Sequence, residues 1–349
     1  MFKKGFTRRD FLKTSGAVAG AALGGGMLDP FSASAKKRKE FAVRLGESRA
    51  ISNTCWWFAR DLYKPDWVIW NWVDLGEWAA GRFTALQRGL LDISTIPMTY
   101  VIRGVSQGYD FKAFQGVCGG TSRIVAHKDT NIYKLEDLKG KRIGVCKFSS
   151  QDVYLIIALA GVGLDWQKDV KRVDLANVAT VVGALQKKEI DAVSIWDPWG
   201  SKMIVEGFGR NVPGIYKYWS KMHQMGVARS DFVEAAPQAL QAVTNAVVKG
   251  VVKCNNEREA WAQKAHEVSG VDLKACKLSI ENAIPDVTIP IEDTKKLARK
   301  MYELGVIKKD VEGIIENHIT YDFVSKATHQ PKEKLTKFGY CPKTIEEVG

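Results

Sequence analysis

Short apolar segments alternate with helix-length amphipathic segments along most of this chain, and this alternation constrains its fold more than any other feature. Each short apolar segment predicts a buried strand, and each amphipathic segment predicts a helix. Strands that alternate with helices indicate βαβ units, so we predict an α/β fold with mostly parallel sheets. The predicted strands are Phe41–Leu45, Val68–Val73, Leu91–Ile96, Phe111–Val117, Arg123–Ala126, Lys141–Cys146, Val170–Leu175 and Ile190–Ile195.

The order of these segments predicts two lobes. A chain of 349 residues is long for one compact core, and a new run of strands and helices begins near residue 123. We expect lobe I at 36–122 plus 223–349 and an inserted lobe II at 123–222, each a doubly wound, mostly parallel sheet flanked by helices. Two hinge strands join the lobes in this prediction. Ligands of open α/β sheets bind at the carboxyl ends of the strands, which here face the cleft between the lobes.

The N-terminus predicts export. The segment Thr7–Lys13 reads TRRDFLK and fits the twin-arginine signal, a Gly/Ala-rich apolar stretch follows at Thr14–Leu28, and Ala33–Ala35 supplies a small-x-small cleavage pattern. We therefore predict that residues 1–35 are a signal peptide and that the mature chain acts in the periplasm. The alternative, a short basic helix that belongs to the fold, does not account for three signals in this order.

Charge and cysteine spacing exclude several classes of function. The formal net charge is +12, but the basic residues are scattered rather than gathered in one patch, which argues against nucleic-acid binding. The six cysteines form no C-x-x-C motif, and no H-E-x-x-H is present, so the ligands of haem, iron–sulfur and zinc-protease centres are missing. We expect no cofactor, no metal and no catalytic residue, and a monomer. Disulfides are permitted in the periplasm, but the spacing leaves their pairing open.

Three stretches carry a resemblance to a known family. AAGRFTALQRGLLDIS at 79–94, LEDLKGKRIGV at 135–145 and ALQKKEIDAVSIWDPW at 184–199 resemble, in the same order, motifs of the nitrate/sulfonate/taurine-type solute-binding proteins. The resemblance extends over about residues 41–325. It implies a type-2 periplasmic-binding fold, in which two lobes trap a small solute and deliver it to the membrane permease of an ABC importer. It implies capture and release without catalysis.

Binding a small polar solute requires donors and acceptors at strand ends and helix starts, beside an apolar or aromatic wall. The best anion site is the loop at 147–152, where hydroxyl groups and a helix N-terminus converge. Trp196 and Asp197 follow a strand and are candidates for the wall and for an acceptor. The complete predicted site is Glu47, Ser48, Arg49, Glu77, Trp78, Thr95, Pro97, Gly120, Thr121, Ser149, Ser150, Gln151, Trp196, Asp197 and Gln224.

Several alternatives remain open for these residues. Glu47 and Glu77 disfavour a bare anion, and a zwitterion or cation becomes favoured if they face the cleft. The pair His223-Gln224 replaces the acidic residue that the resemblance implies for taurine-type members, which weakens a taurine assignment. Asp197 has a competing structural role as the cap of the next helical turn.

We expect the ligand to be a sulfonate-, taurine- or nitrate-like oxoanion, or a zwitterionic or aromatic organic solute. Two other functions are alternatives to this expectation. One is a sensing or partner-recruiting periplasmic domain of the same fold. The other is an enzyme like a pyrimidine-precursor synthase, whose cysteine-rich motif is absent here.

Overall fold

The computed structural model of the chain describes residues 40–46, 48–76, 79–175, 177–221 and 224–349. Two β-sheets flanked by helices make up these residues, so the predicted α/β class is confirmed. The expected signal peptide at 1–35 lies outside the described residues. Within those that are described, no helix is long and apolar enough to cross a membrane.

The strands are short, as the short apolar segments predict. In the described residues they are β1 (Phe41–Gly46), β2 (Val68–Val73), β3 (Ile93–Pro97), β4 (Phe111–Gly119), β5 (Ser122–His127), β6 (Arg142–Val145), β7 (Lys171–Asp174), β8 (Ala192–Trp196), β9 (Gly209–Val212), β10 (Gln224–Arg229) and β11 (Ile284–Pro285).

Helices separate most of these strands and fill the C-terminal third of the chain. The described ones are α1 (Thr54–Phe58), α2 (Ala79–Gln87), α3 (Met98–Ser106), α4 (Ser150–Gly161), α5 (Val178–Gln186), α6 (Trp199–Val205), α7 (Ser230–Ala235), α8 (Pro237–Asn256), α9 (Arg258–Ser269), α10 (Leu273–Ile280), α11 (Ile291–Glu303), α12 (Asp322–Thr328) and α13 (Lys332–Leu335). Shorter turns of 3-10 helix lie at Ile51–Asn53, Leu135–Leu138 and Ile315–His318, and a π-helical turn at Ala59–Tyr63.

Both sheets are mixed. The first has the order β11-β4-β10-β3-β1-β2, with β1 parallel to β2 and β3, and with β10 antiparallel to β3 and β4. The second has the order β7-β6-β8-β5-β9, with β6 parallel to β7 and β8, and with β5 antiparallel to β8 and β9. The expectation of mostly parallel sheets is corrected here. The strands that flank the connections between the two sheets, β4, β5, β9 and β10, are antiparallel to their neighbours.

Burial in the sheets follows the apolar pattern of the sequence. Every residue of β3 and of β8 is buried, as is typical of central strands covered on both faces. The edge strand β2 instead alternates between buried and exposed residues over 68–71. Gly46 in β1 allows the close approach of β3, because a Cβ there would lie 2.5 Å from Ser94 Oγ.

Two crossings connect the sheets, one between β4 and β5 and one between β9 and β10. They lie side by side, because the Gly120 N–H donates to the Lys221 carbonyl at 2.9 Å. Gly120 has a φ of 75°, and a Cβ on it would meet the Asn282 carbonyl at 2.2 Å. Only glycine fits this crossing without strain.

All six cysteines are free thiols, so none of the permitted disulfides forms. Cys55, Cys118 and Cys254 border one small interior cavity. Burial raises the pKa of Cys118 to about 12. A buried thiol of this kind stays protonated and is a poor nucleophile.

Asp286 follows β11 and is 3% exposed. Its carboxylate accepts the N–H of Thr288 at 2.9 Å and the N–H of Gly339 at 3.0 Å, which ties the C-terminal segment to the first sheet. No cation among the described residues forms an ion pair with it. Burial therefore raises the pKa of Asp286 to about 6, although the hydrogen bonds act in the opposite direction.

Replacing Asp286 by Asn is expected to change the pH dependence of stability. The Asp286 carboxyl binds its proton more tightly in the folded chain than in the unfolded chain, so this stabilisation is lost as the pH rises through about 6. From about pH 4 to about pH 8, the free energy of unfolding of the native chain should fall by roughly 2–3 kcal/mol relative to Asp286→Asn. Urea unfolding at a series of pH values measures this free energy for both chains. The exposed Asp74→Asn is the control, and identical pH profiles for the native chain and Asp286→Asn would contradict the prediction.

Candidate ligand site between the two sheets

One cavity collects polar side chains at the strand ends of both sheets. Pro97 ends β3, Trp196 ends β8 and Gln224 begins β10, while Ser149–Gln151 lie at the start of α4. The empty space is about 380 Å³, counting the open mouth. The cavity is lined by Ser48, Ala50, Ser52, Asn53, Ala79, Arg82, Pro97, Tyr100, Ser149, Ser150, Gln151, Trp196 and Gln224.

The start of α4 forms one wall. Ser149 is the N-cap, and its Oγ accepts the N–H of Asp152 at 3.3 Å. The first N–H groups of a helix have no partner within the helix, and the helix dipole adds positive potential there. Together with the hydroxyl groups of Ser149 and Ser150, this wall is suited to an anion.

Gln151 ties this wall to the second sheet. Its Nε2 donates to Ser122 Oγ at 3.0 Å, its Oε1 accepts the hydroxyl of Ser150 at 3.1 Å, and its carbonyl accepts the hydroxyl of Ser194 at 2.8 Å. Gln151 therefore bridges α4, β5 and β8. The hydrogen bonds of its side-chain amide fix the shape of this wall.

The loop after β1 forms the facing wall. Asn53 Nδ2 donates to Ser48 Oγ at 2.8 Å, and Trp57 Nε1 donates to the Ser48 carbonyl at 3.0 Å. These bonds hold the 3-10 turn at Ile51–Asn53 against the loop. Ser48, Ser52 and Asn53 consequently present small polar groups to the cavity.

Arg82 on α2 supplies positive charge to the lining. It is 2% exposed, and its Nε donates to the Thr95 carbonyl at 3.4 Å. No acidic side chain lines the cavity among the described residues. The described lining therefore combines neutral polar groups with one guanidinium.

Tyr100 and Gln224 complete the polar lining. Burial raises the pKa of Tyr100 above its ordinary value, so its hydroxyl remains a donor at neutral pH. Gln224 is 3% exposed and lines the cavity. A side-chain amide offers both donors and an acceptor, so Gln224 is a contact that a polar ligand can use.

The structure brings together about half of the residues predicted for the site. Ser48, Pro97, Ser149, Ser150, Gln151, Trp196 and Gln224 line the cavity, whereas Arg49, Thr95, Gly120, Thr121 and Asp197 do not. Glu47, Glu77 and Trp78 lie outside the described residues.

Those that do not line the cavity have other places in the fold. Arg49 is exposed and forms an ion pair with Asp74 at 3.0 Å. Thr95 is buried in β3, and Gly120 and Thr121 belong to the crossing between β4 and β5.

Asp197 is a structural residue. Its carboxylate is fully buried and accepts from Arg123 Nε at 2.7 Å, and it also accepts from the backbone N–H and the hydroxyl of Ser201, which caps α6. Burial raises the pKa of Asp197, against the effect of Arg123. Both carboxylate oxygens contact Arg123 and one also serves Ser201, so the structure favours the capping alternative over the ligand acceptor.

The sequence reading missed Ala50, Ser52, Asn53, Ala79, Arg82 and Tyr100. A signal existed for Ser52 and Asn53, since they are polar residues at a helix start. Arg82 and Tyr100 lie inside helices α2 and α3. Helical periodicity shows that such residues share faces but does not tell which face meets a cavity.

Comparisons with known proteins agree with this architecture. The model of the NMT1-like family matches residues 71–269, and that of the twin-arginine translocation pathway signal matches residues 5–25. A Bacillus subtilis protein named as an aliphatic sulfonates-binding protein is 25% identical over 316 residues, 84% of this chain and 90% of that protein. The taurine-binding periplasmic protein of Escherichia coli is 23% identical over 228 residues, 64% of this chain and 66% of that protein.

Two solved structures share the fold. The alkanesulfonate-binding protein of Xanthomonas axonopodis pv. citri bound to MOPS has a TM-score of 0.71 and 19% identity, over 81% of this chain and 99% of that one. The periplasmic nitrate-binding protein of Synechocystis has a TM-score of 0.71 and 13% identity, over 88% of this chain and 92% of that one. Likeness at this identity concerns the fold.

The fold is the one that periplasmic solute-binding proteins share, and the matched export signal directs the chain to the periplasm. The family match extends over more than half of the chain. The chain belongs to the NMT1-like family, and the resemblance found in its sequence is confirmed.

Asp197→Ala is expected to lower the free energy of unfolding by about 3–5 kcal/mol, because it leaves the guanidinium of Arg123 buried without its partner. The exposed pair of Arg49 and Asp74 offers a matched control, for which Asp74→Ala should cost less than about 1 kcal/mol. Chemical unfolding measures both values. Similar costs for the two variants would show that the buried pair is not a main source of stability.

Proposed function

We propose that the chain is the solute-binding component of an ABC importer and that its ligand is an organic oxoanion, with an alkanesulfonate as the leading candidate. The observation that carries this proposal is the presence of two anion-stabilising features in the lining of one cavity, the start of α4 and the guanidinium of Arg82. The names of the sulfonate- and taurine-binding relatives support the same chemistry.

A sulfonate group matches these features in number and charge. Its three oxygens accept hydrogen bonds from the N-terminal turn of α4, from the hydroxyl of Ser149 and from Arg82, and hydrogen bonds to a charged group are stronger than neutral ones. An aliphatic tail fits against Pro97 and Trp196, which add apolar surface to the same cavity. Gln224 remains for a second polar group at the other end of the ligand.

Capture follows from closure of the two lobes. We assign lobe I to 36–122 and 223–349 and lobe II to 123–222, with the crossings at Gly120 and Lys221 as the hinge. Closure around the ligand excludes water and strengthens each charged contact. Removal of residues 1–35, which carry five basic and two acidic side chains, leaves a formal net charge of +9, and this charge raises the local concentration of anions. The partner is the importer's membrane permease, the chain acts as a monomer, and no residue is assigned a catalytic step.

Arg82→Met is expected to weaken sulfonate binding by about 10- to 100-fold, because it removes a charge-assisted hydrogen bond worth about 1.5–3 kcal/mol. A screen of sulfonates, nitrate, carboxylates and amines first identifies a linear alkanesulfonate that raises the melting temperature of the native chain. Calorimetric titration with that alkanesulfonate then measures the Kd of each variant. A saturating ligand at a hundredfold excess over its Kd adds about 2.7 kcal/mol of stability.

Arg88→Met is the matched control for this titration, because Arg88 directly follows α2 and is exposed. It should bind the sulfonate as the native chain does. The proposed ligand class is wrong if no sulfonate shifts the melting temperature, or if Arg82→Met binds a sulfonate with native affinity. A shift by amines alone would favour a cationic ligand instead.

A further inference from the structure

Phe148 has an unusual backbone conformation beside the candidate site. Its φ is 59°, in the left-handed region that large side chains rarely adopt. Such a conformation costs on the order of 1–3 kcal/mol and persists only where the surrounding structure enforces it. Phe148 does not line the cavity, but it directly precedes Ser149, which does.

Asp152 enforces this conformation. Its Oδ2 accepts the N–H of Phe148 at 2.7 Å, while its own N–H donates to Ser149 Oγ at 3.3 Å. The two bonds close a compact turn that aims Ser149 and the following residues at the cavity. The Asp152 side chain is fully buried, and a buried carboxylate needs a partner.

Arg172 on β7 supplies that partner. Its Nε donates to Asp152 Oδ1 at 2.9 Å and its Nη2 to Oδ2 at 2.5 Å, a bidentate pair. The guanidinium is 10% exposed and lies 4.5 Å from the ring centre of Trp166 and 5.7 Å from that of Phe148. Arg172 is therefore held on its flat faces as well as at its edge.

Strand β7 also holds the turn at a second point. The N–H of Lys147 donates to Asp174 Oδ1 at 3.1 Å. Two residues of one strand, Arg172 and Asp174, thus fix the turn from outside the cavity. Neither of them lines it.

We propose that Arg172 is a positioning residue for the anion wall, acting through Asp152 to keep Phe148 left-handed and Ser149–Gln151 aimed at the ligand. The proposal rests on the proposed function for the identity of the ligand, but not for the shape of the wall. It differs from a purely structural ion pair in one respect. A structural pair stabilises the whole lobe, whereas a positioning pair controls the backbone conformation of one turn.

Substitutions at Phe148 separate these two roles. Phe148→Gly and Phe148→Val both remove the ring, but only glycine accepts a positive φ without strain. At the second position, Arg172→Lys keeps a charge near Asp152 and Arg172→Met removes it. Arg142→Met is the control. Arg142 lies on the neighbouring strand β6 and also forms an ion pair with an aspartate, Asp191, at 2.8 Å.

Two measurements are made on the full mature chain. The first is the Kd for the linear alkanesulfonate used as the probe. We expect Phe148→Gly to bind within about threefold of the native chain and Phe148→Val at least about tenfold more weakly. We expect Arg172→Met to weaken binding as Phe148→Val does, Arg172→Lys to weaken it less, and Arg142→Met to leave it unchanged.

The second measurement is amide hydrogen exchange at 149–152 without ligand. Exchange there should be faster in Phe148→Val and Arg172→Met than in Phe148→Gly and Arg142→Met, while the rest of lobe II is unchanged. Equal exchange in all four variants, or equal affinity in Phe148→Gly and Phe148→Val, overturns the proposal. If the native chain binds no sulfonate, the proposed ligand fails, and the exchange arm still decides the role of Arg172.

Discussion

A buried ion pair at the junction of the two sheets holds together the elements that surround the cavity. Asp197 and Arg123 are both buried, and their charges are tolerated because each is the ionic partner of the other. The backbone of Asp197 extends the junction, since its N–H donates to the Thr121 carbonyl at 2.9 Å and its carbonyl accepts the Ile51 N–H at 3.2 Å. Arg123 in turn donates to the Leu278 carbonyl at 2.9 Å. The end of β8, a crossing between the sheets, the loop after β1 and α10 are thereby fixed at one point, directly beside the Trp196 wall of the cavity.

The polar groups of the cavity are held in place by hydrogen bonds to other groups of the protein. Gln151 is anchored by Ser122 and Ser194, and Asn53 by Ser48. Groups that are already ordered lose little entropy on binding, so more of the interaction energy appears as affinity. The pair of Arg172 and Asp152 extends this principle to the backbone of the wall. A cavity built in this way discriminates by geometry and by charge together.

The sequence predicted the elements better than the site. Val68–Val73 is a strand in the sequence prediction and in the structure, because a run of apolar residues indicates burial directly. The mixed direction of the strands was missed, since periodicity is the same for parallel and antiparallel strands. Ser149–Gln151 was found because a helix start has a local signature in Ser and Asp residues. Arg82 was missed because its neighbours on α2 do not reveal which face of that helix meets the cavity.

The sequence by itself determined the α/β class, the export signal and the family, because each is written in local patterns or short motifs. Which polar side chains are available to a ligand was decided only by the tertiary structure. Asp197 illustrates the reason, since the arginine that occupies it lies 74 residues away along the chain. Hydrogen bonds and ion pairs at such separation depend on how the elements pack. Packing places Asp197 away from the cavity and places Arg82, Tyr100 and Gln224 in its lining.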